Sequence, residues 1–293
     1  MSLQRTVIQM LDRPGGRSLL SFLATRYARA KLGCDCAVFY DGAWFHRIKD
    51  AVIADDARFN YFADTPRFWE PNFRAQCEES RDSWFLHYKP KPGDTIIDIG
   101  AGVGIDTIVF SQAVGPTGTV YAIEAHPETH RRLQRTCHYN RLDNVRPFHN
   151  AITNRPGPVY ISNNDDHQSN KVDTAPQSGG VSTPVEGLSL DAFCDRHGIQ
   201  QIDLLKVNIE GAERWLVEGM TETLRRTRYV AIACHDFLGD DDPSMRTRET
   251  VIQALDAAGF EVRPRDEDPR PPIQCHVHAW PRNASAAGAR TGP

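Results

Sequence analysis

The sequence predicts an α/β protein with a doubly wound, mostly parallel sheet that follows an aromatic-rich N-terminal extension. Three observations lead to this prediction. Short apolar runs of strand length alternate with helix-length amphipathic segments from residue 94 to about residue 259. The first of these runs leads directly into a glycine-rich turn. Thirteen of the 26 aromatic residues lie upstream of it, within residues 38–88.

The glycine-rich turn joins the first predicted strand of the core to its first helix. Residues 95–99 contain three isoleucines, which is typical of a buried parallel strand. Gly100, Gly102 and Gly104 then allow a tight turn that a ligand can approach, and apolar residues recur at helical spacing from Ile105 onwards. The amides of the turn therefore lie at a helix N-terminus and at the carboxyl end of a strand, where open α/β sheets bind ligands.

The spacing of the glycines indicates the class of cofactor. A dinucleotide fingerprint, Gly-x-Gly-x-x-Gly, needs a third glycine at position 105, where this chain has isoleucine. The observed pattern, Asp98-x-Gly100-x-Gly102-x-Gly104, resembles the first motif of class I S-adenosylmethionine-dependent methyltransferases. This resemblance implies that Asp98 lies near the amino-acid part of S-adenosylmethionine, and that the turn, including Ala101, contacts the cofactor.

The next strand supplies a second cofactor contact. Residues 119–123 are apolar and end at Glu124, at the distance from the glycines where a ribose-binding acid is expected, about 20 residues on. A carboxylate there can accept hydrogen bonds from both ribose hydroxyls, so Glu124 and the adjoining Ala125 are predicted cofactor residues. The same class of methyltransferases commonly contacts the adenine just after the third strand, which implicates Asn150 and Ala151 here.

The remaining elements of the core continue the alternation. Pro127 is placed for the first turn of a helix, and Ser189 for the cap of a short helix that ends at Gly198. The predicted elements after Glu124 are a helix over 127–142, strands over 145–149, 202–207 and 229–234, a helix over 244–258 and a last strand over 273–280.

Two further segments resemble the FkbM family of methyltransferases. Residues 188–193 read Leu-Ser-Leu-Asp-Ala-Phe, and residues 206–213 read Lys-Val-Asn-Ile-Glu-Gly-Ala-Glu. The family has a Leu-Asp segment before a strand that ends in Lys-x-Asp-x-Glu-Gly-x-Glu, and the similarity covers roughly residues 90–235. It implies a Rossmann-like, seven-stranded sheet with an antiparallel last strand. The chain departs from the family at Asn208, where a negative charge is missing at the expected approach of an acceptor or a metal.

Methyl transfer to a hydroxyl needs a group that removes the proton of the acceptor. We expect this group at the carboxyl ends of the fourth and fifth strands, with His235 as the base and Asp236 orienting it or binding a metal. Lys206, Asn208 and Glu210 complete the catalytic candidates. Some relatives that methylate sugar hydroxyls use Mg²⁺, so the resemblance leaves Mg²⁺ open, with Asn208, His235 and Asp236 as its ligands. A purely structural role for His235 also stays open.

Other metal-binding residue types lack the spacing of a site. His276 and His278 share one face of the last strand, and we expect them to be surface residues of an edge strand. Cys34 and Cys36 have no second Cys or His pair at zinc spacing. The seven cysteines, an odd number, are expected to be buried, reduced thiols.

The composition of the chain limits the classes of binding partner that we expect. With 40% hydrophobic and 25% charged residues, the chain is ordinary for a globular protein, and its net charge of −4 gives no footprint for nucleic acid. Neither a signal peptide nor a membrane span is evident, so the cytoplasm is the expected compartment. The expected partner is a small-molecule or glycan acceptor.

Three regions are predicted along the chain. Residues 1–90 form a helical, aromatic-rich extension with an amphipathic helix over 18–32, and this extension is expected to form an acceptor pocket or a homodimer contact. Residues 91–281 form the methyltransferase domain. A polar loop over 153–187 is inserted in it, with a hairpin between 158–161 and 181–185. Residues 282–293 are expected to be a disordered tail.

The resulting functional prediction is an S-adenosylmethionine-dependent O-methyltransferase that acts on a hydroxyl of a sugar, a glycan or another natural product. The O-methyl chemistry is implied by the family resemblance, whereas the residues themselves argue for the cofactor site. Two alternatives are an N-methyltransferase acting on a small molecule and a non-catalytic S-adenosylmethionine-binding protein. A nicotinamide oxidoreductase is disfavoured by the missing third glycine.

Overall fold

The computed structural model describes residues 7–8, 10–33, 35–54, 70–162, 172–173 and 182–284. Most of the predicted tail and the centre of the predicted polar loop lie outside these ranges, and so do Cys34 and Trp69.

The N-terminal region combines helices with a small antiparallel sheet. Its elements are α1 (Arg17–Leu32), β1 (Cys36–Tyr40), β2 (Trp44–Ile48), β3 (Ala51–Ala54) and α2 (Glu70–Trp84). The helix predicted over residues 18–32 is confirmed by α1. The three strands were not predicted, although β-branched and aromatic residues fill them and the Asp41-Gly42 turn is a hairpin signal.

The rest of the described chain contains eleven strands and seven α-helices. The strands are β4 (Thr95–Ile99), β5 (Thr119–Ile123), β6 (Val145–Phe148), β7 (Ala151–Thr153), β8 (Gly157–Ser162), β9 (Val172–Asp173), β10 (Ser182–Ser189), β11 (Leu204–Val207), β12 (Val230–Ala233), β13 (Phe260–Pro264) and β14 (His276–Pro281). The helices are α3 (Ile105–Val114), α4 (Pro127–Tyr139), α5 (Leu190–Arg196), α6 (Glu213–Glu218), α7 (Thr221–Arg225), α8 (Arg248–Ala257) and α9 (Pro271–Gln274).

Seven of these strands form the central sheet, in the order β13-β14-β12-β11-β4-β5-β6. The five strands from β12 to β6 are parallel to one another, while β14 is antiparallel to both of its neighbours. This arrangement confirms the predicted doubly wound, mostly parallel seven-stranded sheet. It also explains the apolar runs, because helices cover both faces: Ile97 and Leu205 belong to one buried cluster, Ile96 and Leu204 to another.

The C-terminal part of the core differs from the sequence prediction in three places. The strand β13 was missed. The helix expected from residue 244 begins at Arg248, because Asp236 Oδ2 accepts the backbone N–H groups of Thr247 and Arg248. The strand expected from residue 273 begins at His276, because Pro271 starts the short helix α9.

The predicted hairpin in the insertion is confirmed. Strand β8 pairs antiparallel with β10, with Val159 opposite Val185, and β10 then pairs in parallel with β7. Val159, Ile161, Val185 and Ala151 form a small buried cluster. The insertion thereby extends the small sheet whose first strand, β7, begins shortly after β6.

Two further expectations concern cysteines and membranes. Six cysteines lie within the described residues; all six are free thiols and five of them are buried. Among the described helices, none combines the length and the apolar character that crossing a bilayer requires.

His276 and His278 are buried, which corrects the expectation of surface histidines. Strand β14 lies between β12 and β13 and is not an edge strand. His276 stacks on Trp84 with ring centroids 4.9 Å apart, and His278 meets His87 edge-on at 5.3 Å. Burial lowers the pKa of each of these two imidazoles to about 3.

A buried ion pair joins the two central strands. Asp98 on β4 and Lys206 on β11 are register partners, and Lys206 Nζ lies 2.7 Å from Asp98 Oδ1 with both side chains fully buried. Burial alone would lower the pKa of Lys206, but the carboxylates of Asp98 and Asp106 outweigh it and hold that pKa above its ordinary value. The ammonium therefore stays charged inside the protein.

We predict that the free energy of unfolding falls as the pH drops from about 6.5 towards 3. In this window His276 and His278 are protonated in the unfolded chain but neutral in the folded one, because their folded pKa is about 3. Each contributes a slope of about 1.4 kcal/mol per pH unit. Urea unfolding at several pH values should show a shallower slope for His278→Asn and an unchanged slope for the exposed His138→Asn. Parallel plots of the free energy of unfolding against pH for wild type and His278→Asn would contradict this prediction.

We predict that Asp98→Asn destabilises the fold by about 3 kcal/mol, because it leaves the buried Lys206 charge without its nearest partner. The matched control is Glu222→Gln, which breaks the exposed pair with Arg225 and should cost less than about 1 kcal/mol. Urea unfolding at neutral pH measures both. Equal small losses in the two variants would show that the buried pair is not a major constraint.

Candidate S-adenosylmethionine site

A cavity of about 700 Å³ opens at the carboxyl ends of β4, β5, β11 and β12. Its lining comes from the glycine turn, from the segments that follow β5, β6, β11 and β12, and from α2 and the start of β14. This is the edge of a doubly wound sheet at which ligands bind. Of the sequence-predicted site residues, the cavity is lined by Gly100, Ala101, Gly102, Glu124, Ala125, Asn150, Ala151, Asn208, Glu210 and His235.

The surroundings of the three glycines in the turn differ, so each glycine serves a different structural purpose. Gly100 has a φ of 74°, and a Cβ there would lie 1.8 Å from the carbonyl oxygen of Asn208, so no side chain is possible. Gly102 has a φ of 57°, and a Cβ would meet nothing within 4 Å, which leaves its backbone open to a ligand. Gly104 was predicted to contact the cofactor, but a Cβ there would meet Leu133 at 2.9 Å. The absence of a side chain at Gly104 therefore lets α4 pack closely against the turn.

Glu124 connects the turn to the end of β5. Its carboxylate accepts the backbone N–H of Gly102 at 2.9 Å and that of His126 at 2.8 Å, while the side chain lies on the cavity wall. Burial raises the pKa of Glu124, and the two N–H groups oppose this rise because they favour the charged form. The structure thus presents a fixed carboxylate beside the open backbone of Gly102.

Asp98 and Lys206 lie beneath the turn and not on the cavity wall, which corrects their assignment as cofactor-contacting and catalytic residues. Besides the ion pair, Asp98 Oδ2 accepts the hydroxyl of Thr107 at 2.7 Å. Lys206 Nζ donates to the carbonyl of Gly100 at 2.8 Å. Both residues are fully buried, so they support the turn from below.

Asp106 is a cavity residue that the sequence analysis missed. It lies in the first turn of α3, lines the cavity, and has its carboxylate 3.6 Å from Lys206 Nζ. The only sequence signal is its position two residues after the last glycine of the turn. The acid on the cavity wall is therefore Asp106, whereas the acid of the motif itself, Asp98, faces the protein interior.

The segment after β11 is held in an unusual conformation. Glu210 lines the cavity with a φ of 52°, in the left-handed region that a non-glycine residue rarely adopts. Such positions persist where the surrounding structure requires them, often at functional sites. Among the residues that the structure describes, no donor forms a hydrogen bond with the buried Oδ1 of Asn208.

His235 is oriented by a carboxylate from the first residue of helix α6. Its Nδ1 lies 3.3 Å from Glu213 Oε1, and Glu213 is fully buried. Glu213 Oε2 also accepts the N–H of Gly211 at 2.9 Å and the hydroxyl of Thr247 at 3.0 Å. These contacts fix the carboxylate of Glu213 and, through it, the imidazole of His235. Glu213 contacts Nδ1 of the ring and does not contact Nε2.

Asp236 was expected to orient His235, and the structure corrects this. Its Oδ2 accepts the N–H groups of Thr247 and Arg248, each at 3.1 Å, and so holds the start of α8. The residue that orients His235 is Glu213, which lies 22 positions earlier in the chain.

The residues present do not fit a magnesium site. Asn208, His235 and Asp236 were the candidate ligands, but Asp236 is engaged with α8 and His235 with Glu213. In the described parts of the chain, no three His, Cys, Asp or Glu side chains are grouped so as to hold a metal ion.

The far end of the cavity is formed by the insertion. Asn150, Ala151 and Ile152 follow β6, and Ile161 of β8 also lines the cavity. Asn150 Nδ2 donates to Glu186 Oε2 at 3.0 Å, which ties this wall to β10. The result is a slot with apolar sides and a polar edge.

The N-terminal extension contributes one wall through α2. This wall contains mostly polar side chains: Gln76, Glu79, Ser80, Ser83 and Trp84. Trp44, one of the aromatic residues considered for an acceptor pocket, instead packs against α1 and donates its Nε1 proton to Asp12 at 3.2 Å. Phe237 is exposed at the cavity wall, with its ring 5.9 Å from that of His235.

Sequence comparison identifies the family. The Methyltransferase FkbM domain matches residues 98–262, more than half of the chain. A curated relative, the 2-O-methyltransferase NoeI of Sinorhizobium fredii (strain NBRC 101917 / NGR234), is 30% identical over 158 residues, which are 48% of this chain and 63% of that protein. The human tRNA (guanine(37)-N(1))-methyltransferase is 25% identical over 193 residues, 64% of this chain and 31% of that protein. The chain thus spans less than two thirds of the length of either relative.

Two solved structures align with this chain at low sequence identity. The methyltransferase FkbM of Methylobacillus flagellatus KT aligns with a TM-score of 0.46 and 13% identity, covering 67% of this chain and 45% of that one. Fibrillarin of Aeropyrum pernix, with natively bound S-adenosyl-L-methionine, aligns with a TM-score of 0.41 and 16% identity, covering 82% and 94%. On the match of the FkbM domain to most of the core, this chain belongs to the FkbM family of methyltransferases.

Proposed function

We propose that this protein is an S-adenosylmethionine-dependent O-methyltransferase that acts on a hydroxyl of a sugar, a glycan or another natural product. The observation that carries the proposal is that His235, held by the buried Glu213, lies on the wall of the same cavity as the glycine turn and Glu124. The name of the relative NoeI, a 2-O-methyltransferase, agrees with methyl transfer to oxygen.

The cavity residues fit S-adenosylmethionine. The open backbone at Gly102 allows a close approach, and Glu124 would accept hydrogen bonds from the ribose hydroxyls. The slot at Ala151 would take the adenine, while Asp106 would pair with the ammonium of the amino-acid part. When bound, the cofactor supplies an electrophilic methyl group on a sulfonium.

The protein's own contribution is to position the acceptor and to remove its proton. Glu213 accepts a hydrogen bond from Nδ1–H of His235, so the neutral imidazole has its acceptor lone pair on Nε2. Nε2 would take the hydroxyl proton as the acceptor oxygen bonds to the methyl group and the methyl–sulfur bond breaks, which releases S-adenosylhomocysteine. The adjacent Glu213 would stabilise the imidazolium that forms. Because Glu213 is fixed by Gly211 and Thr247, this orientation exists before the acceptor binds.

The acceptor class is proposed from the remaining walls. Gln76, Glu79 and Ser83 of α2 offer hydrogen-bonding groups, and Phe237 offers an exposed apolar ring beside His235. Sugars combine hydroxyl groups with apolar ring faces, so polar side chains and an aromatic surface together suit them.

We predict that Asp106→Asn weakens the binding of S-adenosylhomocysteine about tenfold or more, because it removes a charge-assisted hydrogen bond to the ligand's ammonium. The same variant should bind methylthioadenosine, which lacks the amino-acid part, as wild type does. Titration calorimetry measures both ligands, with Asp143→Asn as an exposed control. Unchanged affinity for S-adenosylhomocysteine, or an equal loss for both ligands, would refute this role of Asp106.

We predict that His235→Ala lowers kcat for a hydroxyl acceptor by about 10²-fold or more, because the general base is lost. Binding of S-adenosylhomocysteine should be retained. The assay measures transfer of labelled methyl groups to a panel of sugars, glycolipids and small-molecule alcohols and amines, with the exposed His138→Ala as control.

The same assay separates the proposal from its alternatives. Wild-type activity restricted to amines, with most of it kept in His235→Ala, would favour an N-methyltransferase. Cofactor binding without transfer to any member of the panel would favour a non-catalytic binding protein.

A further inference from the structure

Exposed apolar side chains are concentrated at the N-terminal end of the protein. Among the residues that the structure describes, eight large apolar side chains are exposed, and five of them lie within residues 7–23. Three belong to α1: Leu19 is 51% exposed, Phe22 61% and Leu23 42%. Because their spacing is i, i+3 and i+4, they form one stripe on the helix.

The stripe is not the face that holds α1 to the protein. Leu20 and Ala24 are buried and pack against Val38 and Trp44 of the small N-terminal sheet. The helix thus has one apolar face in the core and a second apolar face in contact with solvent. A contiguous exposed apolar patch of this kind usually marks an interaction surface.

Positive charges predominate around the stripe, although Arg17 is paired with Asp12 and Arg29 with Asp35. Residues 13–33 contain five basic residues and no acidic one, namely Arg13, Arg17, Arg26, Arg29 and Lys31. Arg26 continues the stripe one turn beyond Phe22 and Leu23, and Arg26, Arg29 and Lys31 are exposed. The chain as a whole has a net charge of −4, so this positive region is opposite in sign to the rest of the protein.

We propose that the solvent-facing stripe of α1 docks on an anionic lipid surface. Phe22, Leu19 and Leu23 enter the interface between headgroups and acyl chains, while Arg26 and Lys31 remain at the level of the negatively charged headgroups. The helix lies in the plane of the interface, as a basic helix with an exposed apolar face does. The enzyme would then meet its acceptor at a membrane surface.

Charge favours a lipid surface over a second copy of the chain. A twofold dimer through this face brings the same patch together from both copies, so the exposed Arg26 that continues the stripe would approach its counterpart on the other copy. Such like-charge contacts are costly, whereas an anionic surface neutralises them.

The test is sedimentation of the full-length protein with vesicles of pure phosphatidylcholine and with vesicles of equal parts phosphatidylcholine and phosphatidylglycerol. We expect binding to the mixed vesicles only, and weaker binding at high salt because the charges are screened. Phe22→Ser combined with Leu23→Ser, and separately Arg26→Gln combined with Lys31→Gln, should each lower the partition coefficient on the order of tenfold or more.

Matched controls are Leu86→Ser, an exposed apolar residue outside α1, and Arg225→Gln, an exposed cation outside it. Both should bind as wild type does, and thermal unfolding confirms that every variant is folded. Equal sedimentation with neutral and anionic vesicles, or none with either, would overturn the proposal. So would a dimer in sedimentation velocity that the Phe22→Ser and Leu23→Ser change dissociates while vesicle binding is absent.

Discussion

The buried pair of Asp98 and Lys206 is the interaction on which the candidate site depends. It lies between the two central strands, and Lys206 Nζ also donates to the carbonyl of Gly100, the first residue of the glycine turn. Above it, the backbone of Gly100 approaches the carbonyl of Asn208 so closely that only glycine fits. The turn after β4 and the motif after β11 are therefore held together as one unit. An ion pair that is fully desolvated contributes through geometry more than through net energy, because its Coulomb attraction is offset by the cost of burial.

Four carboxylates near this unit have different roles because their neighbours differ. Asp98 is neutralised by a lysine and faces inward, whereas Glu124 is held by two backbone N–H groups at the cavity wall. Asp106 lies at the N-terminal turn of α3, where the helix dipole favours a negative charge, and Glu213 is buried against His235. In the proposed enzyme, two of these acids bind the cofactor and one prepares the base. The fourth supports the structure beneath them.

Local patterns in the sequence predicted those features that depend on local structure. The strand, glycine turn and helix, the acid after β5, the hairpin of the insertion and the position of His235 at the end of β12 all follow from short segments. The sequence did not show which way the side chain of Asp98 points, because that depends on a lysine 108 residues away. For the same reason Asp236 was chosen over Glu213 as the partner of His235: adjacency in sequence suggested one, and packing of α6 against α8 provides the other. His276 and His278 were placed at the surface because β13, which covers the outer edge of β14, was not predicted.

The central claim is that the cavity binds S-adenosylmethionine through the glycine turn and Glu124. Titration calorimetry of wild type and Glu124→Ala with S-adenosylhomocysteine and with NAD tests it directly. The account predicts saturable binding of S-adenosylhomocysteine by wild type, a loss of at least about tenfold in affinity in Glu124→Ala, and no binding of NAD. Absence of binding to S-adenosylhomocysteine, or equal affinity in the two proteins, would contradict it.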